Sequence, residues 1–369
     1  MVDRYWRQYV NVDKQAGREL FYVFVECKDK PEDAPVLLWL TGFHNFANVI
    51  YLDAPAFVGF SYSLNSSDRT VGHYIPTLVW EVLDYNQNTT HKSDMLNLQG
   101  FLAGNPSTDP EYDNEGRIDY WEIKHGCNFS NVLIAPGEDI KVHAVDKKCK
   151  KAVEDALGEM GPVDIQDIFA DKCKKGGEAV YQASSLLSLL PRRLRIAPGA
   201  MRTKKPKRHL DPCISQEAEA YLARRDVQDA LHANTSGELP WPYAGCTDLD
   251  TDLVYSKEDQ MHSQLPTYRK IMEAAPKLKI LIYTGDTDAL VPLSGTRRWT
   301  FDLGREEGKK PKTHWRYWED PDGQVGGFME EYEDFTYLTI RHASHMAPYS
   351  QQGRTDYVYR TWLSKKDLV

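Results

Sequence analysis

Short apolar runs separated by helical stretches limit this 369-residue chain to a narrow class of folds. The runs have the length and the β-branched and aromatic content of buried strands. Residues 74–86 between them carry apolar side chains at helical spacing, with Pro76 tolerated in the first turn. Strands interleaved with helices predict an α/β fold with a mostly parallel sheet. The apolar runs are 18–27, 35–40, 47–52, 96–106, 277–283 and 335–340.

The last two apolar runs are each followed by a polar turn with side chains suited to catalysis. Asp286 and Asp288 follow the first of them, and His342 and His345 follow the second. Sites in parallel sheets gather beyond the carboxyl ends of strands. An acid followed by a histidine matches the end of the serine–acid–histidine order of α/β-hydrolases. In that order the acid orients the imidazole, and the imidazole takes a proton from serine. The alternative is that both aspartates only cap a turn and that His345 is a surface histidine.

The charge and composition of the chain exclude several functional classes. The net charge is −9, so nucleic acid is not an expected partner. No run of about 18 apolar residues is present, so no membrane span is expected. The six cysteines show no C-x-x-C spacing of the kind that marks a zinc site, and neither a metal nor another cofactor is predicted.

The cellular compartment is indicated in two conflicting ways. The first ten residues, MVDRYWRQYV, contain no apolar segment of a signal peptide, which favours the cytoplasm. Four N-x-S/T sequons favour a secreted glycoprotein. The cysteines fit either disulfides in an oxidising compartment or buried thiols in the cytosol. The sequons begin at Asn65, Asn88, Asn128 and Asn234.

Residues 110–214 differ in composition from the rest of the chain. They are polar and Lys-rich, and they contain four of the six cysteines. Within them, residues 189–210 are rich in Pro, Arg and Lys, which predicts an exposed loop that is open to proteases. The alternative for KKPKR at 204–208 is a nuclear import signal.

Several longer motifs resemble those of the serine carboxypeptidase family and occur in the family's order. The resemblance implies an α/β-hydrolase fold, removal of C-terminal residues from peptides, and a secreted, vacuolar or lysosomal setting. By motif position, Asp288 matches the triad acid and His345 the triad base, whereas Asp286 and His342 match neither. The motifs are VLLWLTG, ANVIYLDAPAFVGFSYS, VGHYIP, NLQGFLAGNPSTD, DVQDALHAN, ILIYTGDTDALVP, DGQVGGF and RHASHMAP.

The resemblance also implies a domain organisation. Residues 1–115 and 215–369 would form a discontinuous α/β-hydrolase core. Residues 116–214 would form a cap region inserted into it, and this region would include the basic exposed loop. The implied partners are peptide or protein C-termini. Two disulfides are implied within the cap region, Cys127–Cys149 and Cys173–Cys213.

The motif that carries the nucleophile departs from the family pattern. The family block reads Gly-Glu-Ser-Tyr-Ala-Gly-His-Tyr-Val-Pro, and only its second half survives here, as GHYIP. Arg69 stands at the serine position and Asp68 at the acid position before it. A guanidinium stays protonated and has no lone pair for attack. The helix and strand that precede the nucleophile in the family are also missing, which implies that the central nucleophile strand of the sheet is absent.

A second departure lies in WLTGFHNFANV, which joins two family blocks that are normally far apart. Thr41 replaces the asparagine that helps to hold the substrate's C-terminal carboxylate in the family. Gly42 survives, but the glycine whose N–H would line the oxyanion hole does not. Loss of one oxyanion donor alone costs about 3–4 kcal/mol of transition-state stabilisation. Gaps relative to the family therefore lie near 42–46 and 65–71, and Gly42 and Asp68 remain the candidate substrate-binding residues.

Two functions remain open at this point. The first is an incomplete version of an active serine carboxypeptidase, truncated or spliced, which keeps Asp288 and His345 but is inactive as written. The second is a non-catalytic relative that binds peptides or a partner without turnover. Acyl transfer between small molecules would use the same triad and would fail here for the same reason.

Overall fold

The computed structural model of the chain describes most of the predicted core and parts of the cap region. No helix among the described residues is long and apolar enough to cross a membrane. The described residues are 5–27, 30–39, 48–54, 56, 58–64, 70–71, 74–120, 132–135, 141–144, 147–160, 163–171, 173, 212–233, 243, 254–255 and 261–364.

The N-terminal part forms a four-stranded sheet in the order β1-β2-β4-β3. Its strands are rich in aromatic and β-branched residues, which fit a pleated surface. β1 and β2 form an antiparallel pair, β2 and β4 are also antiparallel, and β3 and β4 are parallel. The four strands are β1 (Tyr5–Asp13), β2 (Arg18–Val25), β3 (Val36–Trp39) and β4 (Asn48–Leu52).

A five-stranded sheet forms the second part of the core, in the order β11-β12-β13-β10-β6. β10 lies between β13 and β6 and is parallel to both, whereas β11 and β12 add an antiparallel edge. The predicted α/β fold is therefore confirmed, with mixed sheets in which parallel pairing is central. The strands are β6 (Gly100–Gly104), β10 (Lys279–Gly285), β11 (Thr313–Glu319), β12 (Val325–Glu331) and β13 (Thr336–Ile340).

Helices and two short strand pairs complete the described structure. The strand pairs are β5 (Thr70–Val71) with β9 (Val254–Tyr255), and β7 (Val132–Ala135) with β8 (Lys141–Ala144). The helices are α1 (Ile75–Asn88), α2 (Pro110–Tyr120), α3 (Lys147–Met160), α4 (Ile214–Leu222), α5 (Arg225–Leu231), α6 (Leu265–Ala274), α7 (Leu293–Leu303), α8 (Ala347–Ser350) and α9 (Gln352–Leu363).

The five-stranded sheet is covered on both faces, as the continuous apolar runs of its central strands require. Alternate residues of β10 enter two different clusters. Ile280 and Ile282 pack with Tyr268 of α6 and Trp299 of α7 on one face. Leu281 and Tyr283 pack with Val358 and Tyr359 of α9 on the other. This packing fixes the carboxyl end of β10, where the turn that carries Asp286 and Asp288 begins.

The four-stranded sheet has an exposed apolar row on one face. Trp6 pairs with Phe24, Phe24 with Ile50, and Ile50 with Leu38, so the row crosses all four strands. Trp6 is 48 % exposed and Leu38 is 45 % exposed. The opposite face is packed, with Phe21 and Phe60 in a cluster that includes Leu222 of α4. An apolar surface of this kind is usually covered by another element.

β3 and β6 are edge strands of two separate sheets. β3 is the last strand of one sheet and β6 is the last strand of the other, and no described strand pairs with both. Along the chain, β4 is followed by the two-residue β5 and then directly by α1. A strand between β3 and β6 would join the two sheets into one.

Candidate active site

Asp288 lies in the turn that follows β10 and is the most completely bonded carboxylate of this region. Only 1 % of the residue is exposed. Oδ1 accepts the backbone N–H groups of Leu290 (2.8 Å) and Val291 (3.1 Å). Oδ2 accepts hydrogen bonds from Asn105 Nδ2 and His345 Nδ1, both at 2.7 Å. Three of the four partners, Asn105 Nδ2 and the two backbone N–H groups, can only donate, so Asp288 accepts these three bonds whichever tautomer His345 adopts.

His345 lies in the turn after β13, and the structure brings it together with Asp288. Because the ionised Asp288 can only accept, the neutral ring carries its proton on Nδ1 and leaves the lone pair of Nε2 available. Nε2 makes no hydrogen bond to any described residue, and 29 % of the side chain is exposed. The pair can therefore act as an oriented base at the surface.

Asn105 is a member of this site that was not singled out in the sequence. It follows β6 with φ of 43°, in the left-handed region that asparagine tolerates better than most residues. Its Nδ2 donates to Asp288 and to the carbonyl of Ser344 (3.2 Å), and its Oδ1 accepts the N–H of Gly285 (2.8 Å). Asn105 thus ties the ends of β6 and β10 to the histidine turn. The Gly-Asn-Pro turn after an apolar run was the available signal.

Arg117 of α2 contacts the turn that carries Asp288. It is buried, and its Nε donates to the carbonyl of Leu290 at 2.7 Å while Nη1 donates to Asn114 at 2.8 Å. Burial lowers the pKa of the guanidinium, whereas the charges of Asp113 and Asp288 raise it. The Nε bond ties α2 to the turn that carries Asp288.

Residues 163–171, called here the bracing segment, lie against both the turn that carries Asp288 and the turn that carries His345. They lie just before Cys173, whose disulfide with Cys213 leads into α4. Three backbone hydrogen bonds hold the segment against the turns and limit how far the two turns can separate. These bonds are His345 N–H to Gln166 O (2.8 Å), Ala289 N–H to Ile165 O (2.8 Å) and Ile168 N–H to Thr287 O (3.2 Å).

Replacing Ile168 with proline tests the bracing segment, because proline has no N–H to donate to Thr287. Ile168 is the second residue of a turn closed by the bond from Ala170 N–H to the Asp167 carbonyl, a position that proline favours. We expect the loss of about 1 kcal/mol of local stability, seen as roughly fivefold faster amide hydrogen exchange at His345 and Ala289.

Phe169→Ala is the matched control for Ile168→Pro. The Phe169 side chain is 76 % exposed, and the variant keeps every backbone donor of the bracing segment. Its exchange rates at the two catalytic turns should match those of the parent chain. Unchanged exchange in Ile168→Pro would mean that the segment does not hold the turns.

Asp286 and His342 form a separate contact. Asp286 Oδ1 accepts the backbone N–H of His342 at 2.5 Å, and His342 has φ of 58°. Burial raises the pKa of the Asp286 carboxyl, while the bond to His342 lowers it. The His342 side chain is exposed and has no part in the Asp288–His345 pair.

The predicted Cys173–Cys213 disulfide is confirmed. Cys149, buried in α3, is also disulfide-bonded, and Cys127 lies outside the described residues. Asn88 is exposed at the end of α1, as a glycosylated asparagine would have to be. The remaining predicted residues also lie outside the described part of the chain. They are Gly42, Asp68, Arg69, Asn65, Asn128 and Asn234.

A metal site is not formed by the residues that the structure describes, since no three His, Cys, Asp or Glu side chains among them are grouped to hold an ion.

Comparison with known families gives the site its context. The sequence model described as "Serine carboxypeptidase" matches residues 3–42 and 71–365, which is most of the chain. The chain belongs to the serine carboxypeptidase family. The resemblance identified from the motifs is thus confirmed. The unmatched interval, 43–70, contains most of both regions where the sequence departs from the family pattern.

Similar proteins include plant members of the family. Serine carboxypeptidase 24 of Arabidopsis thaliana is 30% identical over 451 residues, covering 98% of this chain and 89% of the relative. Serine carboxypeptidase-like 26 of Oryza sativa subsp. japonica is 30% identical over 427 residues, covering 92% and 82%. Both alignments are longer than the 369-residue chain, so both relatives carry internal segments without a counterpart here.

A solved structure shares the fold at low sequence identity. The prohormone-processing carboxypeptidase Kex1Δp of Saccharomyces cerevisiae matches with a TM-score of 0.61 and 13% identity, covering 98% of this chain and 92% of that one. This likeness supports the α/β-hydrolase architecture of the serine carboxypeptidase core.

Proposed function

We propose that this chain is a shortened serine carboxypeptidase that keeps the acid and base of the triad and lacks the nucleophile. In the complete reaction a serine attacks the carbonyl of the last peptide bond. His345 would take the serine proton and pass it to the leaving amine, while Asp288 would hold the imidazole in the required tautomer. Without a serine the covalent route is closed, so the chain does not hydrolyse C-terminal peptide bonds.

The hydrogen bond between Asp288 Oδ2 and His345 Nδ1 is the observation that carries this proposal. It connects a buried acid to a partly exposed histidine on two neighbouring parallel strands, β10 and β13. This is the arrangement that a hydrolase needs around its serine. A surface histidine without a role would not require a fully bonded buried carboxylate behind it.

Three features support the absence of an internal segment. The sheet is divided between β3 and β6, where a nucleophile strand would lie. The row from Trp6 to Leu38 is exposed, although a helix normally covers such a face. The relatives align over more positions than this chain contains. Arg69, which stands at the serine position of the motif, cannot replace the lost nucleophile.

The cysteines support the proposed compartment. Cys173 and Cys213 are joined, and Cys149 is also in a disulfide. Disulfides form and persist in oxidising environments. We therefore propose the secretory pathway, the vacuole or the lysosome for the chain, where glycosylation of its sequons, including the exposed Asn88, is expected.

Binding without turnover is the alternative function. Asp288 is held by backbone and Asn105 donors whether or not a serine is present, so this part of the site does not depend on catalysis for its structure. Such a protein would bind peptide C-termini or a partner. It would release no product.

The proposal is tested by an assay of N-blocked dipeptides, with an active family member as the positive control. We expect no release of the C-terminal amino acid. Release that is blocked by a serine-directed fluorophosphonate would contradict the proposal, because it would require a nucleophilic serine.

Peptide mapping of the protein from its native source is the companion measurement. Peptides that cross residues 40–48 and 65–74 should be found, after digestion with a protease other than trypsin because trypsin cuts at Arg69. If the only peptides found carried a Gly-x-Ser-x-Gly motif, the native protein would be a complete enzyme.

A further inference from the structure

We propose that His345 is itself a nucleophile towards activated acyl groups, so that the Asp288–His345 pair supports slow, serine-independent hydrolysis of aryl esters. This activity goes beyond the proposed function, which concerns peptide bonds and the missing serine. It rests only on the two described residues and their surroundings.

The position of the His345 imidazole ring is the first observation behind the proposal. Nδ1 is bonded to a fully buried carboxylate, and 29 % of the His345 side chain is exposed. Nε2 makes no hydrogen bond to a described residue, so its lone pair is not consumed by a neighbour. The proposal requires that a small acyl donor reaches this atom through the exposed part of the side chain.

The environment of His345 Nδ1 is the second observation behind the proposal. An attacking imidazole gains positive charge, and this charge is shared with Nδ1–H. The carboxylate 2.7 Å from Nδ1 is already in place to stabilise it. Asn105 and two backbone N–H groups hold that carboxylate, so it need not reorganise during attack. His342, on the same turn, has no such carboxylate bond to its ring, and Asp286 accepts only its backbone N–H.

The reaction proceeds in two balanced steps. The Nε2 lone pair adds to the ester carbonyl carbon, and the C–O bond to the leaving group breaks, so that the aryloxide departs with its electron pair. The acyl group is then attached to Nε2. Water adds to the acyl carbon, the C–N bond breaks with its electrons returning to Nε2, and one proton is released. The products are an aryl alcohol or aryloxide and a carboxylic acid, and His345 is regenerated.

The first test measures release of p-nitrophenolate from p-nitrophenyl acetate by the full chain, by His345→Gln and by His342→Gln. We expect His345→Gln to reduce the protein-dependent rate about tenfold or more and His342→Gln to leave it unchanged. Equal rates for the parent and His345→Gln would overturn the proposal. A rate abolished by a fluorophosphonate would also overturn it, because a serine would then be the nucleophile.

The second test compares the two histidines within the unmodified chain. Diethyl pyrocarbonate transfers a stable carbethoxy group to imidazole nitrogen, and mass spectrometry locates the group. If exposure alone set the rate, the exposed His342 would react before the partly buried His345. We expect the opposite order. Faster modification of His342 would overturn the proposal. The dipeptide assay decides the proposed function separately, so the two can fail independently.

Discussion

Replacing Asp288 with alanine is expected to lower the free energy of unfolding by about 3–5 kcal/mol. The carboxylate accepts four hydrogen bonds, from His345, Asn105, Leu290 and Val291, and it is almost completely buried. Alanine leaves these donors without their acceptor at a position that is almost completely buried. It also removes one of the two carboxyl groups, Asp113 and Asp288, whose charges act on the buried Arg117. Urea unfolding with an unchanged m-value measures the loss.

Asp286→Ala is the matched control, since Asp286 lies two residues away in the same turn. Its carboxyl accepts the backbone N–H of His342, and burial opposes its charge. We expect this variant to lose no more than about 1 kcal/mol. Asp288→Asn, which keeps the volume and one acceptor oxygen, should fall between the two. Equal losses in the two alanine variants would show that the four bonds do not stabilise the turn.

The Asp288–His345 pair was predictable from sequence because each of the two residues lies in the turn after a strand that the apolar pattern marks clearly. The runs at 277–283 and 335–340 contain β10 and β13, which are adjacent and parallel in the sheet. Parallel strands bring their carboxyl ends to one edge. Two turns at the ends of neighbouring strands must therefore be close in space, whatever the rest of the fold does.

The supporting residues were not predictable in the same way. Asn105 and Arg117 act through partners that are far away in sequence, Asp288 and Leu290, and no local spacing links these positions. The bracing segment makes its contacts through backbone groups, which carry no residue-type signal. Such contacts become visible only when the tertiary structure is known.

The strands at both outer edges were also absent from the prediction. β1 has exposed residues on one face, and β11 and β12 carry charged residues such as Arg316, Glu319 and Glu331. Strands at or near a solvated edge alternate polar and apolar residues and do not form the continuous apolar runs of central strands. Each of the six apolar runs contains a strand. Four of these strands, β2, β4, β10 and β13, lie inside a sheet. The other two, β3 and β6, are edge strands that pair with the interior strands β4 and β10.

The carboxyls of Asp53 and Asp113 have raised pKa values, and they make the stability of the chain depend on pH. Burial raises the pKa of Asp53 to about 6, although a bond from the Phe60 N–H lowers it. Burial also raises the pKa of Asp113 to about 6, against the opposing charge of Arg117. Asp113 Oδ1 is buried and makes no hydrogen bond to a described residue, so only Oδ2 is stabilised by donors.

The unfolding free energy is therefore expected to fall as the pH rises from about 4 to about 6. In this window the folded chain keeps protons that the unfolded chain, with ordinary carboxyl pKa values near 3.8, has already released. Protonation thus favours the folded state, and its contribution is full in acid and lost above the folded pKa. Each carboxyl contributes up to about 3 kcal/mol, since one pKa unit corresponds to about 1.4 kcal/mol.

Urea unfolding at about pH 4 and pH 7 measures this effect, with Asp53→Asn and Asp113→Asn as the variants. An asparagine cannot ionise, so each variant should match the parent near pH 4 and exceed its stability near pH 7. Exposed carboxylates such as Asp226, whose pKa is lowered by Arg224, contribute with the opposite sign but equally in the parent and the variants. Parallel pH dependence in the parent and both variants would contradict the assignment. A chain that gains stability in acid through these two carboxyls is suited to the acidic compartments proposed for it.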